Sequence, residues 1–87
     1  MNFKVAEIQP TPNPNALKFV LNRTISDQPT SFFDPSAAEN HPLASRLFKI
    51  GGVASLLFLG DFVTVNKTPE SDWAVIKRGV KKALAQD

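Results

Sequence analysis

One histidine, a scatter of carboxylates, four clustered cations and a proline-rich segment are the groups in this 87-residue chain whose types and spacing could support chemistry or recognition. His41 is the sole histidine, and a catalytic imidazole needs a nucleophile or an orienting carboxylate within reach. Asp34, Glu39 and Ser45 are near it in sequence, yet no motif spaces them for such work. Placed before Pro42, where a helix should begin, His41 reads as a cap or surface residue. The carboxylates show neither EF-hand spacing nor an H-E-x-x-H arrangement, so no intrinsic metal site is expected. Cysteine is absent. That excludes disulfides, thiolate zinc sites, cysteine-ligated clusters and cysteine nucleophiles for this chain by itself, and no cofactor is expected. Gly51-Gly52 follows a helical pattern and precedes a strand, the wrong order for a phosphate loop, and reads as a helix stop. Together these residues predict a protein that binds and does not catalyse.

Two surfaces could do the binding. In Gln9-Pro10-Thr11-Pro12-Asn13-Pro14-Asn15 three prolines in five positions hold φ near −65° and remove amide donors, so the segment should not sustain a strand ladder and reads as a stiff surface loop. It is either a preordered contact edge or a rigid connector whose asparagines bond the local backbone. Lys77, Arg78, Lys81 and Lys82 fall within six positions near the C-terminus, opposite the apolar stripe of the last helix. They could meet an acidic protein surface or phosphates, with strong salt dependence. Equally, they are a solvated helix face whose charges suit the helix dipole. The formal net charge is only +2, and no helix-turn-helix, ribonucleoprotein-type aromatic signature or zinc finger points to nucleic acid.

These groups must be positioned by a small fold. A chain of this size buries about 60 to 65% of its unfolded surface, and seven Phe, one Trp and abundant Leu, Val and Ile supply the core. Residues 3 to 8 and 16 to 22 read as strands, the second with Leu17, Phe19 and Leu21 on one face. Pro42 to Lys49 reads as a helix capped by Asn40 or His41, with Leu43, Leu47 and Ile50 as its stripe and Phe48 beside it. Val53 to Leu59 reads as a central strand, and Gly60-Asp61 turns it through a two-residue type II′ hairpin into Phe62 to Asn66. A final helix from about Ser71 to Ala85 buries Trp73, Ile76, Val80 and Ala83 or Leu84. Between them, residues 23 to 40 lose periodicity and read as a long irregular connection. Within it Asp34-Pro35 could cap a single turn through Ala37, Ala38 and Glu39, and at least one of Phe32 and Phe33 should fold back onto the core. The order β-β-α-β-β-α predicts an α+β two-layer sandwich: a four-stranded sheet with two main helices on one face, forming a single domain over residues 1 to 87.

No run approaches the roughly 18 apolar residues of a membrane span. The opening Met1-Asn2-Phe3-Lys4-Val5 has no signal or transit pattern, so a cytoplasmic location is expected.

Thr11-Pro12-Asn13-Pro14-Asn15-Ala16-Leu17-Lys18-Phe19, Pro42-Leu43-Ala44 with Leu47-Phe48-Lys49-Ile50, Gly52-Val53 through Phe58-Leu59-Gly60-Asp61-Phe62-Val63-Thr64-Val65, and Trp73 together carry a pattern. The chain resembles the N-terminal domain of Nfu-type iron–sulfur cluster scaffold and carrier proteins over nearly its whole length. That domain usually precedes a second one whose Cys-x-x-Cys motif holds the cluster, and this chain ends at Asp87 without cysteine. It is either an excised domain or a naturally single-domain relative, and the charged ending without tag or linker favours the latter. The resemblance implies an accessory role in cluster assembly or delivery, through contacts with iron–sulfur scaffold or recipient proteins, a cysteine-bearing Nfu-type domain among them. It carries over a region and no residue roles. Thr11, Asn13, Asn15 and Lys18 are the first candidates for contact, because prolines keep them displayed; the basic residues Lys77, Arg78, Lys81 and Lys82 come second. The alternative is a small protein of unrelated role that binds nucleic acid or another anionic partner through its basic helix.

Overall fold

A computed structural model describes residues 3–86. Met1, Asn2 and Asp87, which bear on the opening and the charged ending of the chain, lie outside the described residues. Five antiparallel strands form one sheet: β1 (Val5–Pro10), β2 (Ala16–Leu21), β3 (Ser26–Phe32), β4 (Val53–Gly60) and β5 (Phe62–Lys67), in spatial order β1-β2-β5-β4-β3. Two helices, α1 (Pro42–Phe48) and α2 (Trp73–Ala85), pack over one face.

The expected sheet of four strands is therefore corrected to five. The added strand, β3, lies inside the stretch expected to be irregular, and its sequence hides it for physical reasons. It is an edge strand, paired on one side only with β4, and most of its side chains are exposed, so nothing demands a two-residue alternation. A bulge between Ser26 and Thr30 accommodates Pro29. The Ser26 hydroxyl donates to the carbonyl of Gln28 at 2.6 Å within it. β1, the other edge, is likewise interrupted by a bulge between Val5 and Glu7. It runs past the expected end at Ile8 through Gln9 and Pro10, which pair with Lys18 and Leu17, because an outer strand tolerates a proline whose missing donor would face away from the sheet.

The remaining elements have local causes. Asp34 caps a 3-10 turn at Pro35–Ala38. His41 caps α1, its Nδ1 accepting the Ala44 amide at 3.2 Å, and Pro42 occupies the first turn, where a missing N–H costs nothing. After α1 the chain needs a left-handed residue, and Gly52 supplies it with φ +99°. A side chain there would also collide with Ser71. In the β4–β5 hairpin Leu59 faces Phe62 across a two-residue turn, Gly60 has φ +57° and no described non-glycine residue has positive φ. Those signs are those of type II′. Asp72 caps α2 by accepting the Ala74 amide at 2.8 Å.

Residues paired across antiparallel strands share a face. On the helix side, Phe19, Val63 and Phe58 form one row and Leu17, Val65 and Leu56 the next; they meet Leu43 and Leu47 of α1 and Ile76, Val80 and Leu84 of α2 in one core. Phe32 is buried at its margin, where its ring, the His41 imidazole and the Phe58 ring meet edge to face at 5.3–5.4 Å. Phe33 points outward, 79% exposed. The ends of the described chain also meet: the Phe3 amide donates to the carbonyl of Leu84 in the last turn of α2 at 3.0 Å.

Candidate functional site

The proline loop is held from within. The Thr11 hydroxyl lies 2.9 Å from the carbonyl oxygen of Asn13 and 3.0 Å from that of Ala16, so its one proton serves either. Thr11 Oγ1 itself accepts the Asn13 amide at 3.1 Å, and Asn13 Oδ1 accepts the Asn15 amide at 2.9 Å. Asn15 Oδ1 in turn accepts from Lys67 Nζ at 3.0 Å, and that ammonium also reaches the carbonyls of Thr68 and Pro69, each at 3.3 Å. Trp73 Nε1 donates to the carbonyl of Pro14 at 3.1 Å across 59 residues of sequence. The loop is thus tied to the end of β5 and the start of α2. Its exposed surface consists of Pro12, Asn13 and Pro14.

Thr11, Asn13 and Asn15 come together in this junction. Lys18 does not join them. It projects from β2 on the sheet face away from the helices, its Nζ 4.1 Å from the centre of the Phe62 ring, a favourable cation–π distance. That face is ordered in cross-strand rows. Glu7, Val20, Phe62 and Leu59 make one, and Gln9, Lys18, Thr64, Leu57 and Ser31 the next. Val20, Leu57, Leu59 and Phe62 are half-buried and take no part in the core. Sequence reading missed this apolar group, although one signal was present: Val53–Leu59 is apolar at both alternating positions, while a sheet with helices on one side needs apolar residues at only one.

On α2, Arg78, Lys81 and Lys82 are exposed and Lys77 is half-buried at the flank. None of the four side chains takes part in a hydrogen bond or ion pair among the described residues. Val75, 49% exposed, lies among them.

The residues nearest His41 in sequence do not assemble a reactive group around it. Asp34 is occupied as a cap, accepting from the Ser36 hydroxyl at 2.7 Å and the Ala37 amide at 2.9 Å. Those two donors, the hydroxyl foremost, hold its carboxyl below the ordinary carboxylate range against a small opposing effect of desolvation. Among the described residues no group of three His, Cys, Asp or Glu could hold a metal ion.

Comparison with known proteins covers nearly the whole chain. Residues 6–87 match the family model described as scaffold protein Nfu/NifU N terminal. The human NFU1 iron–sulfur cluster scaffold homolog, mitochondrial, is 42% identical over 79 residues, 88% of this chain, and the chain spans only 31% of that relative's length. A solution structure of a NifU-like protein from Saccharomyces cerevisiae superposes with a TM-score of 0.82 at 28% identity, over 98% of this chain and 77% of the other. A Staphylococcus aureus protein of known crystal structure gives 0.80 at 23% identity, over 92% of this chain and 96% of that one, a likeness of fold alone. The cytoplasmic location expected from the sequence does not stand, since the human relative is mitochondrial by name. Targeting is written in removable segments and leaves no mark on the folded domain.

Proposed function

The chain belongs to the Nfu/NifU N-terminal scaffold family, and on that premise we propose that it is a non-enzymatic protein-contact domain in iron–sulfur cluster assembly or delivery. The observation that carries this reading is the family match over residues 6–87 in a chain without a single cysteine. A cluster needs thiolate or equivalent ligands, so the role left to this chain is contact with the proteins that supply them. Its partners on this reading are iron–sulfur scaffold or recipient proteins, a cysteine-bearing Nfu-type domain among them.

The contact surface we propose is the loop with Thr11, Asn13 and Asn15, together with Lys18 on the neighbouring strand; the cations Lys77, Arg78, Lys81 and Lys82 are a second, weaker surface. Because the loop's polar groups bond one another and Lys67, it offers a fixed shape whose ordering cost is met before a partner arrives. Affinity capture from the native host's extract at moderate salt, with wild type beside an Asn13→Ala, Asn15→Ala, Lys18→Ala variant, tests the reading. Wild type should retain iron–sulfur scaffold or recipient proteins that the folded variant loses. Retention of the same proteins by both would sink the surface, and retention of none by either would sink the pathway.

One observation favours a second reading. The cations on α2, whose side chains meet no partner among the described residues, could serve nucleic acid or another polyanion, and such binding would weaken steeply as salt rises.

A further inference from the structure

We infer that the open face of the sheet, centred on Val20, Leu57, Leu59 and Phe62 with Lys18 above the Phe62 ring, is a docking surface for an amphipathic helix of a partner that carries carboxylates beside its apolar stripe. This rests on the reading of the chain as a protein-contact domain and gives that reading a partner chemistry and a place.

Four large apolar side chains stand outside the core on adjacent strands. Neighbouring strands lie about 4.8 Å apart and successive same-face residues about 7 Å apart along each strand. Val20, Phe62 and Leu59 therefore span about 10 Å across the sheet, with Leu57 in the next row. That is the footprint of one helix, about 10 Å wide.

Charge selects the occupant. Lys18 carries the only cation in these two rows, and their only carboxylate, Glu7, lies at the β1 border with its Oε2 already accepting from Gln9 Nε2 at 2.8 Å. An isologous stack of two copies would bury both Lys18 ammonium groups in one interface with no central carboxylate to meet them. A partner with carboxylates flanking an apolar stripe supplies what the face lacks: apolar surface over Leu57 and Leu59 and a counter-charge for Lys18.

The sheet edges are poor alternatives for such a partner. Strand addition needs a row of free backbone groups, and both outer strands are broken by bulges, with Pro29 inside one edge and Pro10 closing the other. A partner is directed to the face.

The test is an NMR titration of the isotope-labelled full chain with a designed helical peptide of about 18 residues, five turns, bearing a leucine stripe flanked by glutamates. A twin peptide carries lysines in place of the glutamates. Amide shifts should centre on Val20, Leu57, Leu59 and Phe62, and the glutamate peptide should bind about tenfold more tightly than its twin. Lys18→Glu should reverse that preference, Leu57→Ser should weaken both peptides, and Lys49→Glu, at the exposed end of α1 in the helix layer, should leave the map of shifts unchanged; the amide spectrum of each variant reports that it is folded. Shifts centred on α2, equal affinity for the two peptides, no binding, or concentration-dependent broadening of the face without peptide would overturn the inference. No iron–sulfur protein is present in this experiment. Its failure therefore leaves the pathway reading standing, and failure of the capture experiment leaves the face standing.

Discussion

The two faces of the sheet are built from the same strands and nearly the same residue types, yet they end in different states. Along β4, Leu56 and Phe58 are sealed beneath the helices while Leu57 and Leu59, between and beside them, remain half-exposed. Apolar composition sets how strongly a strand can be buried. Which side is buried is decided by where the helices fall, and here two helices cover one side only.

The sharpest break of that comparison is a matched pair of truncations. Phe58→Ala should cost about 3–5 kcal/mol through lost transfer energy and the cavity left behind, whereas Leu57→Ala should cost about 1 kcal/mol or less, because water already reaches it. Urea midpoints at unchanged m read both. Equal costs would mean that the open face is a second core and not a surface.

A smaller effect separates what the loop owes to its own residues from what it owes to α2. Trp73→Phe keeps an aromatic ring beside Lys67 and removes the donor to Pro14; it should cost about 1 kcal/mol and speed hydrogen exchange of amides in residues 11–16. An unchanged exchange pattern would make the loop self-sufficient.

The smallest effect belongs to Asp34, beyond the end of β3. Its folded carboxyl is held below the ordinary range by Ser36 and Ala37, so the stability it contributes is present above the unfolded carboxylate pKa and fades as pH falls through the folded one. Asp34→Asn should be less stable than wild type near neutrality, and the difference should close on acidification below the ordinary carboxylate range. A difference that stays constant with pH would assign the effect to shape and not to charge.

Much of this architecture is legible in the residues because its causes are local. The Gly60-Asp61 hairpin follows from one glycine between two apolar runs, and the start of α1 from His41 before Pro42. The stripe Ile76, Val80 and Leu84 follows from helical spacing. β3 was not legible, since an exposed edge strand with a proline and a bulge has no period to detect. The surroundings of the candidate residues were beyond sequence reading for another reason. That Lys67 reaches Asn15, that Trp73 reaches Pro14 and that Lys18 overlies Phe62 all depend on strand register and on contacts between residues far apart in sequence. The proline loop was visible as stiff; that its polar groups bond inward was not.

The hydrogen bond from Phe3 to Leu84 closes the described chain on itself. Any tether fused at either end would leave from one corner, and that corner belongs to the helix layer. Such a geometry makes the fold a cassette that can hang from a single point, as domains with adjacent ends commonly do. The tether would tug on the layer that needs its packing, while the opposite side of the sheet swings free to meet whatever comes within the tether's reach.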